Sequence, residues 1–296
     1  MRILVIGASG FIGRHLVRRL NAASAHDITA TYRSRPPAPD DNAWRQVELT
    51  NPAGLEHVFQ QARPELVIHL AALADVATAE REPERAAAVN VAATSEIVRL
   101  AHLFGAQLLF VSTEYVFDGR RGLYNEDEPP HPVTQYGRTK WQAEQQVAKL
   151  ATNWSILRTS IVYGWPEPGQ RNYAPMLIES LRQGQPRPAS PDVYRTPVYV
   201  EYLADAIAKI AVRNLTGVFH VAGADWVSMY DFARSIARAF DLDERLVIPT
   251  DSEASRASVA ESPDRLGLHC EATMRRLESP HPGLQEGLAA MRAAYP

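Results

Sequence analysis

The sequence predicts an α/β protein, a Rossmann-type doubly wound parallel sheet with a smaller C-terminal α/β lobe. Three observations carry this expectation. A short apolar run at residues 3–6 passes directly into Gly7-Ala8-Ser9-Gly10-Phe11-Ile12-Gly13 and then a helical pattern. Further apolar runs alternate with helical periodicity through the first half of the chain. Runs such as Leu66-Val67-Ile68-His69-Leu70 and Leu108-Leu109-Phe110-Val111 do not alternate with polar residues, which suits strands covered on both faces and joined by right-handed crossovers.

Taken in order, strands are expected at 3–6, 28–32, 66–70, 107–111 and 154–158, with a weaker one at 45–49. Helical patterns fall near 11–20, 53–62, 83–104 and 135–151. The first is amphipathic, with Ile12, Leu16, Val17 and Leu20 on one face. From about residue 160 the alternation weakens, and a Pro-rich stretch at 186–197 interrupts it. Beyond it come a helix near 200–213, a short strand at 217–221, and helices near 228–240 and 283–294. Residues 1–160, with returning segments near 195–225, are expected to form a nucleotide-binding domain, and 161–195 with 226–296 a substrate lobe. The acidic segment at 125–132 reads as a solvated surface loop.

Composition excludes several classes. A chain of 296 residues with 46% hydrophobic content can bury a sizeable core. A net charge of −3, without a basic stripe, argues against nucleic acid or an anionic membrane as partner. No apolar run approaches the ~18 residues needed to cross a bilayer, and the first strand begins too early to leave room for a signal peptide, so a cytoplasmic location is expected. Cys270 is the one cysteine, which rules out an internal disulfide and a cysteine-built metal cluster; the nine His residues show no metal-like pairing, and no metal is expected.

The glycine-rich run is where a dinucleotide is expected, although an ordinary glycine-rich turn is the alternative. Gly7 permits the tight turn, Gly10 lets a pyrophosphate approach the backbone, and Gly13 lets the helix pack close to the strand. The helix start offers unpaired N–H groups and a favourable dipole to phosphates. The second strand ends in Arg33-Ser34-Arg35 with no acidic residue to hold a ribose 2′-hydroxyl. An Arg there pairs with the 2′-phosphate of NADP, so NADPH is the expected cofactor through Arg33, with Arg35 as a further contact; NADH and a merely solvated basic loop remain open.

Tyr136 and Lys140 stand four apart on the helix expected at 135–151, which puts a phenol and an ammonium on one face. A nearby cation favours the phenolate and should bring the phenol down toward the working range as an acid. The chain has eleven Tyr but three Lys, so this spacing by chance, at this place downstream of a nucleotide motif, is a weak competitor. Upstream, the 107–111 strand runs into Ser112-Thr113-Glu114-Tyr115, and ligands in open parallel sheets lie beyond the carboxyl ends of strands. Thr113 is placed to hydrogen-bond a substrate carbonyl, or else to satisfy local backbone. Tyr163 and Trp165 follow a strand end and are candidates to touch substrate, though packing explains both. Arg195 is a candidate diphosphate contact or a surface residue.

With these residues assembled, the chain resembles the extended short-chain dehydrogenase/reductase superfamily, most closely the dTDP-4-dehydrorhamnose reductases. The likeness covers residues 1 to about 240. It rests on Gly7–Gly13, Ala71-Ala72, Glu80-x-x-Pro83-Glu84-x-Ala86 leading to Val89-Asn90, Ser112 to Gly119, Tyr136 to Lys140, and Leu157-Arg158-Thr159-Ser160-x-Val162-Tyr163-Gly164. The resemblance implies a catalytic triad of Thr113, Tyr136 and Lys140. It also implies a cofactor site that takes in Gly7, Gly10, Phe11, Ile12 and Gly13, with Leu49 and Thr50 by the adenine, Ala71 and Ala72 flanking the cofactor, and Lys140 on the nicotinamide ribose beside Tyr136. Apart from the resemblance, substrate contacts are expected at Thr113, Tyr115, Tyr163 and Arg195. The chain departs from the family pattern at Glu114, where Asp is usual, at Leu73 for Tyr and at Ile161 for Trp, and it lacks the usual Arg-Pro near the C-terminus.

The expected reaction is NADPH-dependent reduction of the 4-keto group of a nucleotide-linked deoxysugar. Related 4,6-dehydratases follow the catalytic Thr with an Asp-Glu pair to manage protons at the sugar carbons, whereas Glu114-Tyr115 offers one carboxylate. A 4-epimerase uses the same triad. A non-catalytic NADP-binding subunit similar to the methionine adenosyltransferase β subunit is the reading from a different class. The helices at 83–104 and 135–151 could pair across a two-fold axis into a homodimer.

Overall fold

The computed structural model describes residues 1–22, 26–34, 43–149, 153–250 and 263–295. Its centre is a seven-stranded, all-parallel sheet. The strands are β1 (Arg2–Ile6), β2 (Asp27–Tyr32), β3 (Ala43–Gln46), β4 (Leu66–His69), β5 (Gln107–Thr113), β6 (Trp154–Thr159) and, much later in the chain, β11 (Gly217–Val221). Their spatial order is β11-β6-β5-β4-β1-β2-β3, so the order reverses at β1 and β4, the two strands that start from the middle. At such a switch point, adjacent loops diverge and leave a crevice at the strands' carboxyl ends.

The strands are apolar throughout because helices cover both faces. On one face, α1 (Phe11–Asn21) and α8 (Val200–Val212) pack Leu16, Val17, Leu20, Leu203 and Ile207 against Ile3, Val5, Leu109 and Leu157. The other face takes α2 (Pro52–Ala62), α5 (Ala93–Phe104) and α6 (Gln135–Val147), which cover Leu4, Ile6, Val67, Leu108 and Phe110. Side-chain caps define several helix starts, among them Asn51 for α2 and Thr134 for α6. A separate core gathers α7 (Tyr173–Arg182), α9 (Met229–Ala239) and a C-terminal helix at Leu284–Ala293 around Tyr163, Tyr199 and Phe232. The two-residue strands β7 (Val162–Tyr163) and β10 (Val198–Tyr199) run alongside it, as do the short pairs formed by β8 (Arg187–Ala189) with β13 (Val247–Pro249) and by β9 (Tyr194–Arg195) with β12 (Val227–Ser228).

Three differences from the sequence reading have local causes. The edge strand lies at Ala43–Gln46, ahead of the expected 45–49, because Val47, Glu48 and Leu49 turn away to line the crevice. The expected 83–104 helix is one helical path in three parts, α4 (Pro83–Ala87), a π-helical turn at Ala88–Ala92, and α5. That turn carries Asn90, whose side chain bonds both the N–H and the carbonyl of Leu73 and donates to Thr139 Oγ1. The helices α3 (Val76–Arg81) and α7 were not legible; α3 is a single short segment capped by Asp75, which accepts from Thr78 N at 2.8 Å. Among the described residues no helix is long and apolar enough to cross a membrane, and no group of three metal-ligating side chains occurs.

Candidate active site

A cleft of about 690 Å³ opens at the carboxyl ends of β1, β2 and β4. Gly7, Gly10, Arg33, Leu49, Ala71 and Ala72 line it. Gly7 adopts φ +86°, and a Cβ there would stand 2.7 Å from Ala71 N, so both the turn and the approach of the chain after β4 exclude a side chain. At Gly13 a Cβ would meet Gly7 O at 2.5 Å and Ala8 O at 2.6 Å, which is the close packing of helix on loop. Gly10 differs, since a Cβ there would meet one protein atom, Gly7 O at 3.2 Å, and space on its other sides. Unlike α2 and α6, α1 has no side-chain cap on its N–H groups. The uncapped helix start over a bare glycine backbone is the donor set that a pyrophosphate requires, so the residues present fit a dinucleotide.

The remaining cofactor candidates lie behind the wall. Phe11 packs edge-on to His15 and against the second core, and Ile12 joins the core under the sheet. Thr50 is absent from the cleft lining and turns its hydroxyl toward Glu48 Oε1 at 3.4 Å. Arg35 falls outside the described residues.

A second cavity, about 370 Å³, holds Thr113, Glu114, Tyr115, Tyr136, Ser160, Ile161 and Arg195. Thr113 ends β5, and its Oγ1 accepts from Tyr115 N at 3.2 Å, which fixes the hydroxyl. Tyr136 comes from the first turn of α6 and is 8% exposed. Burial pushes its phenol up to about 12; the Thr113 hydroxyl beside it pulls the other way and loses. The expected lowering by the neighbouring ammonium is therefore not what the structure gives. Lys140, one turn further along, is fully buried and lines neither cavity; its Nζ donates to Val111 O at 2.7 Å and sits 3.8 Å over the Phe110 ring. Burial brings that ammonium down to about 7, against the attraction of Glu144.

Two substrate candidates take other places. Tyr163 is 1% exposed, packed between Tyr199 and Phe232, and lines neither cavity, because β7 aims it into the second core. Trp165 likewise donates Nε1 to Met291 O at 2.7 Å and packs on Phe240 and Tyr295. Arg195 does line the second cavity, at 5% exposure, so it is no surface residue. Yet its Nε faces Glu114 at 3.3 Å, one terminal nitrogen donates to the carbonyls of Tyr194 and Asp264, and the other to Pro263 O and Tyr115 Oη. Both terminal nitrogens of the guanidinium are thus taken up by protein oxygens and its Nε faces Glu114, which leaves no terminal donor pair for a diphosphate. Glu114, which sequence reading treated as a family departure, proves to be a buried carboxyl of this cavity: burial raises it to about 7 against the pull of Arg195, and its Oε2 is buried without a hydrogen-bond partner.

Sequence reading also missed Arg14 and the segment Glu167-Pro168-Gly169-Gln170, which close the other wall of the cleft. Arg14 directly follows Gly13, a position legible in the motif; the 167–170 segment carries no signal because it reaches α1 only through the fold.

Comparison with known proteins agrees with this geometry. The family described as RmlD substrate binding domain matches residues 1–295. The chain is 30% identical over 298 residues to the probable low-salt glycan biosynthesis reductase Agl14 of Haloferax volcanii, covering 100% of this chain and 98% of that one. It is 28% identical over 259 residues to methionine adenosyltransferase 2 subunit beta of Mus musculus, covering 85% and 76%. In structure it is similar to dTDP-4-dehydrorhamnose reductase from Bacillus anthracis in complex with NADP, at TM-score 0.87 and 28% identity over 99% of each chain. The sheet order, the glycine-rich cleft and the full-length match agree, and the chain belongs to the RmlD substrate binding domain family.

Proposed function

We propose that the protein is an oxidoreductase that uses NADPH to reduce the 4-keto group of a nucleotide-linked deoxysugar. The observation that carries this reading is the placement of Tyr136 and Thr113 together in a cavity adjoining the glycine-rich cleft. Support for the cofactor comes from Arg33 in the cleft wall and from the NADP complex of the similar Bacillus anthracis reductase.

When bound, the cofactor supplies the hydride. The chain does the rest. Thr113, its hydroxyl fixed by the bond from Tyr115 N, orients the ketone oxygen. Tyr136 gives that oxygen its proton. A phenol near 12 is fully protonated at neutral pH, which suits an acid loaded for reduction and disfavours the reverse oxidation, which needs a phenolate base. Lys140, one turn further along α6 and anchored on Val111 O, adds a positive charge that favours the phenolate left after proton transfer. Ile161, Val76 and Ala77 give the cavity an apolar wall. Of the two carboxylates that line the cavity, Glu114 faces Arg195 and Asp75 caps α3 through Thr78, so neither is committed to the proton shuttling that elimination would need.

The second reading is a non-catalytic NADP-binding subunit, favoured by the 28% identity to methionine adenosyltransferase 2 subunit beta. NADPH consumption with a dTDP-4-keto-6-deoxysugar, comparing wild type with Tyr136→Phe, decides between them. Turnover that the substitution removes supports the reductase; tight NADPH binding with no consumption of any keto-sugar nucleotide supports the subunit.

A further inference from the structure

The cleft has a feature that a dinucleotide site does not require. Residues 164–170 form a strap from the second core across its mouth. Gln170 Nε2 donates to Ser9 O at 2.8 Å, directly on the glycine-rich loop. At the other end His15 Nε2 stands 3.1 Å from Trp165 O. Between these ties, Glu167 is placed against α1. Its Oε1 lies 3.9 Å from Arg14 Nε and pairs closely with Arg18. Arg14 is largely buried, with a 13% exposed side chain, and its guanidinium lies 5.3 Å over the Trp44 ring on the edge strand. Trp44 pairs with Ala30 of β2, the strand that leads into Arg33, and Arg14 and Arg33 line the same cleft.

We propose that Arg14 is the second guanidinium of the cofactor's 2′-phosphate site, beside Arg33, and that Glu167 is its resident counter-ion, displaced when a phosphorylated dinucleotide enters. This rests on the reading of the cleft as an NADPH site. A 2′-phosphate carries roughly −1.5 to −2 charges at neutral pH and seeks planar paired donors, which guanidinium groups supply. A carboxylate beside the same guanidinium cancels part of the field that would hold the phosphate, and the two anions repel at close range. Binding therefore exchanges the Glu167–Arg14 contact for a phosphate–Arg14 contact and leaves Glu167 to Arg18, while Gln170 and His15 hold the ends of the strap. NADH, with no 2′-phosphate, gains nothing from that exchange. Arg14 is thus a cofactor-specificity residue, and Glu167 sets the cost of admitting the phosphate.

The test is equilibrium binding, which needs no turnover. NADPH, NADH, adenosine 2′,5′-bisphosphate and 5′-AMP are titrated by calorimetry into wild type, Arg14→Ala, Arg14→Lys and Glu167→Gln. We expect Arg14→Ala to weaken NADPH and the bisphosphate about tenfold or more, the scale of one charge-assisted hydrogen bond, and to change NADH and 5′-AMP less than about threefold. Arg14→Lys, which keeps the charge and most of the apolar stem, should fall between. Glu167→Gln should tighten NADPH and the bisphosphate by about threefold or more, with a smaller gain when Arg14 is already Ala. Equal losses for phosphorylated and unphosphorylated ligands, or no gain from Glu167→Gln, would overturn the proposal while leaving the NADPH reading intact. Wild-type protein that binds neither dinucleotide overturns both.

Discussion

Glu114 and Arg195 form a buried ion pair, Oε1 to Nε at 3.3 Å with side chains 2% and 6% exposed, that joins the end of β5 to β9 across the floor of the second cavity. Removing one partner of such a pair leaves an uncompensated charge in an apolar place. Arg195→Met should therefore destabilise the protein by about 3–5 kcal/mol, and Arg195→Met with Glu114→Gln by less. The pH dependence has a fixed sign. Glu114 titrates near 7 when folded against an ordinary 4.5, so the folded form holds that proton more tightly, and its contribution to stability declines as pH rises from 4.5 to 7. Without Arg195 the decline steepens. Urea unfolding at pH 5 and pH 8 should show the larger loss for Arg195→Met at pH 8; equal losses would mean that Glu114 does not carry the charge.

The proton donor is tested most directly at Tyr136 and Thr113. Tyr136→Phe removes the acid and keeps the ring that packs with Ala79 and Ala86, so keto-sugar reduction should drop by about 10²–10⁴-fold while NADPH fluorescence still reports binding. Thr113→Val should cost less than Tyr136→Phe, because it loses orientation of the ketone but keeps the proton. An inactive Tyr136→Phe that has also lost NADPH would point to a collapsed site instead.

Lys140 should set a limb of the pH profile. Its ammonium titrates near 7 when folded, down from 10.5, and is lost as pH rises through that value. We expect kcat/KM to fall above about pH 7 and the limb to persist in Glu114→Gln, which removes the other group titrating there. The same lowering means that the unfolded chain binds the extra proton between pH 7 and 10.5, so stability gains from this group as pH rises through that window. Lys140→Met should erase that gain in chemical unfolding experiments.

Gly13 tests the contact of helix and loop. A methyl group there would press on Gly7 O and Ala8 O at 2.5 and 2.6 Å, both backbone atoms that cannot swing aside. Gly13→Ala should cost on the order of 1–3 kcal/mol in stability and displace the glycine-rich turn, weakening NADPH and NADH alike. Selective loss of one cofactor would contradict that reading.

Much of this protein could be read in the chain. Residues 3–13 announce a strand, a turn and a helix start, because the tight turn, the close packing at Gly13 and the amphipathic face of α1 are local requirements written in local residues. The continuous apolar runs at 66–69 and 107–111 likewise announce strands buried on both faces, since nothing else buries such runs as cheaply. Tyr136 and Lys140 were placed on one helix face by their spacing alone. Spacing could not say that Lys140 turns away to Val111 O, or that burial outweighs the cation in setting the phenol. Short elements such as α3 escaped because a single turn carries no period.

The sequence by itself determined the central sheet, the glycine-rich turn and the placing of Tyr136 and Lys140 one turn apart on a single helix, since each follows from periodicity or fixed spacing over neighbouring residues. Only the tertiary structure decided that Arg195, expected to hold a diphosphate, neutralises Glu114, that Tyr163 belongs to a core, and that Glu167 faces Arg14. Glu114 and Arg195 lie 81 residues apart and Arg14 and Glu167 153, while the place of Tyr163 depends on which face a two-residue strand presents, and desolvation at such contacts is a property of everything packed around them.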